Sequence, residues 1–357
     1  TLQSRGLGDV YKRQGQGLGR RVSEEHRFLR EPKTPAPLPE QAEGGSSARN
    51  DKGSVGRADS RPAGRCGYVA IIGRPNVGKS TLLNRLLGQK LAITCHKAQT
   101  TRHSILGIKT LPEGQAVFVD TPGIHQRGGS ALNRYLNRAA RAAISDVDLV
   151  LLVVEALRFA AEDTKALRAV ADAGKPVIAV VNKIDQVPDK ARLLPFLQGL
   201  AERHDFLAVV PVSAAKGDQV ERLLSLVVGA LPEGENIFPE DQLTDRSERF
   251  FAAELVREQL MRRYGDELPY CTTVEIERFE DQGGRYRIHA LVWVERPGQK
   301  AIIIGDRGVA LKAAATQARL EMQKLFDCPV PLQVWVKVKK SWSSDETALT
   351  RLGYGDS

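Results

Sequence analysis

Long apolar runs and closely spaced cysteines are both scarce in this chain of 357 residues. Its longest aliphatic run, residues 149–154, has six members, whereas a membrane-spanning helix needs about 20. We therefore exclude an integral membrane protein, and no apolar stretch near residue 1 has the length of a secretory signal. The nearest pair of the four cysteines, Cys66 and Cys95, stands 29 positions apart. That spacing fits no zinc or CxxC motif, so we expect free thiols in a reducing compartment.

The charge of the chain is only modestly unbalanced. It has 52 Lys and Arg residues against 43 Asp and Glu, a net charge of +9, and an isoelectric point near 9.4. This basic excess permits a nucleic-acid partner without establishing one. Hydrophobic residues make up 42% of the chain, which is typical of a folded protein, and the length allows two or three domains.

The N-terminal part lacks the side chains needed for a core. Between residues 31 and 65 the only large aliphatic residues are Leu38 and Val55, so burial cannot offset the entropy of ordering. We expect residues 1–65 to be a disordered extension that is dispensable for catalysis. The chain begins with Thr1, and its methionines are Met261 and Met322. We therefore also expect this extension to include residues upstream of the natural translation start.

Short apolar runs alternate with amphipathic helical segments from residue 66 to residue 235. The runs at residues 68–72, 149–154 and 176–181 are unbroken, as in strands buried on both faces. This alternation predicts an α/β domain with a mostly parallel sheet between helices. Ligands of such sheets bind at the carboxyl ends of the strands, so the loops after the strands are the candidate site.

The first of these loops reads GRPNVGKS at residues 73–80, which matches the pattern GxxxxGK[ST]. Its glycines let backbone N–H groups curl around a β-phosphate. Lys79 supplies a cation to the β and γ oxygens, and Ser80 offers its hydroxyl to Mg²⁺. We predict a nucleotide site made by Gly73, Asn76, Val77, Gly78, Lys79, Ser80 and Thr81.

A second motif, DTPG, follows the predicted strand that ends at Val119. The carboxylate of Asp120 can hold the magnesium shell, and the N–H of Gly123 can contact the γ-phosphate. A DxxG motif alone is a weak signal, but its position some 40 residues after the phosphate loop strengthens it. We assign Asp120, Thr121, Pro122 and Gly123 to the nucleotide site.

The motif NKID at residues 182–185 predicts a preference for guanine. Guanine presents two adjacent donors that the carboxylate of Asp185 can accept as a pair, and adenine has no such edge. The Lys183 stem can cover the base. We place Asn182, Lys183 and Asp185 at the base of GTP or GDP, together with the loop Ser213, Ala214 and Ala215, whose N–H groups can meet the guanine O6.

A threonine between the phosphate loop and the second strand can complete the coordination of Mg²⁺ when a γ-phosphate is present. Residues 97–103 read KAQTTRH, so Thr100 and Thr101 compete for this role. We prefer Thr101. The predicted metal ligands are therefore Ser80, Thr101 and Asp120.

These four motifs in this order resemble the translation-factor-like class of Ras-type GTPases. The residue after Gly123 is Ile124, where Ras has a glutamine that orients water, so hydrolysis needs another device. The resemblance implies that Asn76 helps bind a K⁺ ion in place of an arginine finger. The residues expected to act in catalysis are then Lys79, Thr101, Gly123 and Asn76.

The C-terminal part predicts a second domain at residues 248–340, after a linker at residues 236–247 and before a tail at residues 341–357. Its predicted order is helix, two strands, two helices joined by Gly305–Gly308, and a strictly alternating last strand. This order and the GxxG loop resemble a type II KH domain, which clamps about four nucleotides. The resemblance implies RNA binding by Gly305, Asp306, Arg307, Gly308 and Lys312, although the acidic Asp306 departs from a basic loop.

A G domain followed by one KH domain resembles the Era family of bacterial GTPases, over about residues 68–355. This likeness implies a monomeric GTPase that binds the 3′ end of 16S ribosomal RNA and acts in 16S processing and 30S subunit biogenesis. It also implies a cytoplasmic location with some peripheral association at the inner membrane. The alternative is an RNA-binding switch that responds to nucleotide with negligible intrinsic hydrolysis.

Overall fold

The structure, a computed structural model, describes six stretches of the chain: residues 28–30, 64–95, 97, 100–123, 131–265 and 268–351. Ile124 lies outside them, and so does most of the extension that we expected to be disordered. Within that extension the structure describes a three-residue strand, Phe28–Arg30 (β1), and Arg65 already belongs to the next strand. The first domain therefore begins earlier than residue 66.

The strands of the first domain join one sheet. After β1 they are β2 (Arg65–Ile72), β3 (Ile105–Leu111), β4 (Gly114–Asp120), β5 (Leu149–Glu155), β6 (Val177–Asn182), β7 (Ala208–Pro211) and β8 (Gln242–Ser247). The order across the sheet is β1-β8-β3-β4-β2-β5-β6-β7. The five strands β4, β2, β5, β6 and β7, in their order across the sheet, run parallel. Strand β3 is antiparallel to its neighbours β4 and β8. The predicted mostly parallel sheet is confirmed.

Helices cover both faces of this sheet because each central strand buries side chains on both sides. In β2, Val69 packs into one core and the next residue, Ala70, into the other. The first core also takes Leu83 from the first helix, and the second takes Val170. The helices are α1 (Lys79–Leu87), α2 (Ala131–Ser145), α3 (Ala161–Asp172), α4 (Leu193–Ala201) and α5 (Val220–Ala230).

The segment 236–247, which we expected to be a linker, belongs to the first domain instead. Its strand β8 pairs with β3, and Phe238 is buried in the core. The fully buried Gln115 side chain accepts the N–H groups of Ile237 and Phe238 at 3.0 and 2.9 Å, and donates to the Phe238 carbonyl. One buried amide thus satisfies three backbone groups of the stretch that leads into β8.

The second domain has the predicted order of elements. Helix α6 (Glu248–Arg263) precedes a sheet of β9 (Thr273–Asp281), β10 (Tyr286–Val294) and β11 (Leu332–Val338). The central strand β10 is antiparallel to β9 and parallel to β11. Helices α7 (Pro297–Ile304) and α8 (Val309–Phe326) lie between β10 and β11 in sequence, and Met322 of α8 packs in the core of this domain.

The described part of the predicted tail, residues 341–351, is packed rather than free, and residues 352–357 lie outside the described residues. Trp342 is fully buried against Leu132 and Leu136 of α2, and its indole N–H donates to the Cys271 carbonyl at 3.1 Å. A last short helix, α9 (Glu346–Arg351), adds the buried Leu349 to the same cluster. The expected tail therefore joins the two domains.

None of the described helices has both the length and the apolar character required to cross a membrane.

Candidate nucleotide site and RNA-binding loop

The phosphate loop connects β2 to α1 with a backbone that requires glycine. Gly78 has a φ of 99°, and a Cβ there would collide with the Asn182 amide. Asn76 also adopts a left-handed conformation, with φ 65°, which asparagine tolerates better than most residues. The first residues of α1, Lys79, Ser80 and Thr81, line the cavity, and a helix N-terminus at a cavity is a typical anion site.

Lys79 is buried inside the phosphate loop. Its ammonium donates to the carbonyls of Gly73 and Arg74 at 3.1 and 3.2 Å. Burial lowers the pKa of Lys79 to about 8, although the nearby Asp120 charge acts in the opposite direction. The ammonium is therefore bonded to neutral carbonyl acceptors, and it lines the cavity at the start of α1.

Three oxygen-bearing side chains converge beneath this loop. The Ser80 hydroxyl donates to Asp120 Oδ2 at 3.0 Å, and Thr101 Oγ1 lies 2.8 Å from Ser80 Oγ and 3.1 Å from the same carboxylate oxygen. Burial raises the pKa of Asp120. Among the described residues, its other oxygen, Oδ1, is buried without a hydrogen-bond partner.

This cluster fits a hard divalent cation, because hydroxyl and carboxylate oxygens are the ligands that Mg²⁺ prefers. A bound cation would explain why Oδ1 of Asp120 is buried without a hydrogen-bond partner among the described residues, because the carboxylate could then accept from the water ligands of the ion. Thr100 is directed elsewhere, since its hydroxyl donates to the Lys97 carbonyl at 2.6 Å. The geometry favours Thr101 over Thr100 as the threonine ligand.

The DTPG turn lies against the phosphate loop. Thr121 is buried and its hydroxyl donates to the Ile71 carbonyl at 2.9 Å, which fixes the turn to β2. Pro122 is buried as well. A Cβ on Gly123 would lie 3.2 Å from Lys79 Nζ, so this glycine brings its backbone close to the Lys79 ammonium.

In the NKID motif, the Asn182 side chain is bonded within the protein rather than free to contact a ligand. Its amide donates to the Val77 carbonyl at 2.8 Å and accepts the Ala214 N–H at 3.0 Å. Asn182 thereby joins the phosphate loop to the loop Ser213–Ala215. Asp185 is half-buried and accepts the Ser213 hydroxyl at 2.7 Å, which places the carboxylate beside that loop.

A buried ionic group supports both loops, and the sequence did not single it out. Arg74 bonds to Asp163 at 3.1 Å and also to Glu155, which in turn accepts Lys183 at 3.2 Å. Burial alone would raise the pKa of Glu155, but the hydrogen bonds from Arg74 and Lys183 outweigh it and lower that pKa. No pattern in the sequence marks Asp163 or Glu155, because their pairing depends on the packing of α3.

The cavity in front of these groups is also lined by side chains that the motifs did not include. They come from the segment after α1 and are Ile93, Thr94 and Cys95. Asn76, Ser80, Thr81, Thr101 and Gly123, which the motifs did predict, line the same cavity. The motifs therefore predicted part of the lining of this cavity but not the wall that follows α1.

The GxxG loop of the second domain is open to solvent. Gly305 and Gly308 have φ values of 71° and 78°, and a Cβ on Gly305 would lie 2.6 Å from Ala310 Cβ. Asp306, Arg307 and Lys312 are exposed. Two exposed aliphatic side chains flank the loop, Ile302 and Val309. Together these features form a surface with cations, apolar contacts and a closely approachable backbone.

Comparisons with known proteins find relatives of both the domain with the phosphate loop and the domain with the GxxG loop. Residues 68–183 match the family described as a 50S ribosome-binding GTPase, and residues 267–343 match the KH domain family. The chain is 58% identical over 299 residues to GTPase Era of Pseudomonas aeruginosa strain LESB58, covering 84% of this chain and 98% of the relative. The chain belongs to the Era family of GTPases. A relative from Pseudomonas putida strain W619 is 57% identical over 292 residues, covering 82% and 97%.

Two solved Era structures resemble this one, each with a TM-score of 0.79, 36% identity, and coverage of 82% of this chain and 100% of that chain. One is Aquifex aeolicus Era, as a variant bound to GDP and AlF₄⁻. The other is Era in complex with MgGDPNP and nucleotides 1506–1542 of 16S ribosomal RNA. The predicted family and fold are confirmed, and so is GTP hydrolysis, which disfavours the alternative of a switch with negligible turnover.

Proposed function

We propose that this chain binds Mg²⁺ and GTP at the carboxyl end of its main sheet and the 3′ end of 16S ribosomal RNA at its KH loop. Its role is then in 16S processing and 30S subunit biogenesis. The observation that carries the proposal is the convergence of Ser80, Thr101 and Asp120 under the phosphate loop, in a chain that also carries an open GxxG loop. The Era structure solved with MgGDPNP and 16S nucleotides supports it.

In this proposal each group of the nucleotide site has one task. Backbone N–H groups of the phosphate loop and the Lys79 ammonium bind the β and γ oxygens, and Gly123 N–H approaches the γ-phosphate. Ser80, Thr101 and Asp120 hold Mg²⁺, which when bound neutralises charge on the phosphates. Asp185 accepts the two guanine donors, and Lys183 covers the base.

In this proposal K⁺ would take the place of an arginine finger and supply positive charge, and Asn76 would help to hold it. Asn76 is exposed and lines the cavity. GTP turnover should therefore be faster in potassium than in sodium buffer at equal ionic strength, and Asn76→Ala should abolish the difference. Equal turnover in the two salts would overturn this part alone.

The KH loop supplies the RNA site. Gly305 and Gly308 have no side chain to keep a sugar-phosphate backbone at a distance, and the exposed Arg307 and Lys312 offer cations to its phosphates. The acidic Asp306 reduces this attraction. The exposed Ile302 beside the loop adds apolar surface on which a base can rest.

The experiment that tests the RNA site is Arg307→Asp. Replacing one phosphate contact by a repulsion should weaken binding of a 16S 3′-end RNA by about 1–3 kcal/mol and reduce the salt slope by about one. Basal GTP hydrolysis should be unchanged, because the substitution lies in another domain. Arg222→Asp, the same charge change on an exposed helix of the G domain, is the matched control. Equal RNA affinity of the Arg307 variant and the parent at matched salt would contradict the assignment.

A further inference from the structure

The backbone next to Thr101 is held by the KH domain. Arg257 of α6 is only 1% exposed, and one of its guanidinium nitrogens donates to the carbonyl of Thr100. The same guanidinium is fixed by Glu254, through contacts of 2.7 and 2.6 Å. A buried arginine is retained at a low free-energy cost only when it is paired and its donors are satisfied. Here one of the Arg257 donors binds the segment that carries Thr101, the predicted metal ligand.

The residue on the other side of Thr101 is anchored in the same way. Arg102 is fully buried, and its guanidinium donates to the carbonyls of Thr272 and Pro269 at 2.7 and 2.8 Å. Both carbonyls belong to the turn that leads into the KH sheet. The tripeptide centred on Thr101 is therefore bound to the second domain at both ends.

The start of the same segment is fixed to α6 by a third set of contacts. Glu258 accepts the Thr94 N–H at 3.0 Å and the Lys90 ammonium at 2.7 Å. Lys97 donates to the Met261 carbonyl at 2.5 Å. The described part of the segment between α1 and β3 is thus bound at Lys90, Thr94 and Lys97 to one helix of the second domain.

We propose that Arg257 and Arg102 are positioning residues for the metal site, through which the KH domain keeps the Thr101 hydroxyl beside Ser80 and Asp120. This inference rests on the Mg²⁺ site proposed above. The GTP state uses the Thr101 hydroxyl and the GDP state does not, since a switch threonine coordinates the ion when the γ-phosphate is present. The KH domain therefore favours the GTP complex specifically, without touching the nucleotide.

The test compares affinities for GDPNP and GDP at saturating Mg²⁺. Arg257→Lys keeps the charge near Glu254 but shortens the reach to the Thr100 carbonyl. The double change Arg257→Met with Glu254→Gln removes the pair without leaving a buried carboxylate unpaired. Both should weaken GDPNP binding about tenfold, within the usual range of coupling between sites, and leave GDP affinity within about twofold. Arg263→Ala, an exposed neighbour on α6, is the control and should change neither.

A double-mutant cycle with Thr101→Ala separates positioning from general stability. If Arg257 acts through Thr101, the combined variant binds GDPNP no worse than Thr101→Ala alone. Additive losses, or equal losses for GDPNP and GDP with a lowered melting temperature, would overturn the inference. The inference would also be wrong if Thr101→Ala changed the ratio of GDPNP to GDP affinity but the Arg257 variants did not. That result would leave the proposed metal site intact. An unchanged ratio in Thr101→Ala would overturn both.

Discussion

Lys79 and Asp120 are both buried in the nucleotide site, and their pKa values move in opposite directions. Burial lowers the pKa of Lys79 to about 8 and raises that of Asp120. Each shift makes the charged form less favourable than it is in water. The two groups are thus prepared for counter-charges, phosphate oxygens for the ammonium and a cation for the carboxylate.

The lowered pKa of Lys79 predicts a pH dependence of nucleotide binding. Above about pH 8 the free protein loses this proton, whereas the complex keeps it because the phosphates favour the ammonium. Binding then takes up a proton, and affinity should fall about tenfold from pH 7 to pH 9. Calorimetry in buffers of different ionisation enthalpy measures both the affinity and the uptake. A flat profile without proton uptake would show that Lys79 stays charged in the free protein.

For the folding of the free protein the same pKa shift has the opposite sign. Between about pH 8 and the ordinary lysine pKa of 10.5, the unfolded chain binds more protons at this position than the folded one. The contribution of Lys79 to stability therefore increases with pH in that window. Weaker nucleotide binding at pH 9 thus cannot be attributed to Lys79 destabilising the fold.

Asp185→Asn should exchange guanine specificity for xanthine specificity. The amide offers one acceptor and one donor, so one of the two guanine donors is left without a partner. The expected loss of GTP affinity is about 1–3 kcal/mol or more, roughly 10- to 100-fold or beyond, with a gain for XTP. Competition of both nucleotides against a fluorescent GDP measures the exchange. Retained GTP affinity would mean that Asp185 does not contact the base.

The sequence predicts residues whose spacing along the chain is fixed by a motif, but not residues whose partners are set by the packing of two domains. Lys79, Ser80 and Asp185 belong to motifs because their spacing along the chain is set by one loop and one ligand. Arg102 and Arg257 belong to none, since the backbone carbonyls that they bind lie more than 150 positions away and depend on how two domains pack. An arginine at 0% or 1% exposure also contradicts the general preference of this residue for the surface.

At the scale of elements, two segments took up structure that their composition did not indicate. Strand β8 is polar, yet it extends the main sheet beside β3. The segment after residue 340 carries Trp342 into a cluster on α2. In both cases the partner is remote in sequence, Gly107 of β3 for Thr244 of β8 and Leu136 of α2 for Trp342, so pattern reading within a short window could not find it.

Trp342→Ala should destabilise the protein strongly. The side chain is fully buried and its N–H is hydrogen-bonded, and emptying such a site costs about 3–5 kcal/mol. Urea unfolding followed by circular dichroism measures the change. Trp335→Ala, at a residue that is 43% exposed on β11, is the matched control and should cost much less. Equal effects of the two changes would contradict the packing of the C-terminal segment.

At the scale of the whole molecule, residues of the second domain contact the nucleotide cavity of the first. Helix α6 begins the KH domain and also fixes the wall of the nucleotide cavity through Arg257 and Glu258. If the GTP complex uses these contacts and the GDP complex does not, as proposed above, the nucleotide changes the free energy of the KH domain's placement. By linkage, the RNA affinity of the second domain and the nucleotide preference of the first influence each other equally.

The most direct test of this account is the affinity of the full chain for a fluorescently labelled RNA with the 16S 3′-end sequence, measured by anisotropy with GDPNP and with GDP at one salt concentration. Binding should be tighter with GDPNP, by about tenfold within the usual range of allosteric coupling, and a scrambled RNA of equal length should bind little. Equal affinity in the two nucleotide states, or equal affinity for the scrambled RNA, would contradict this account.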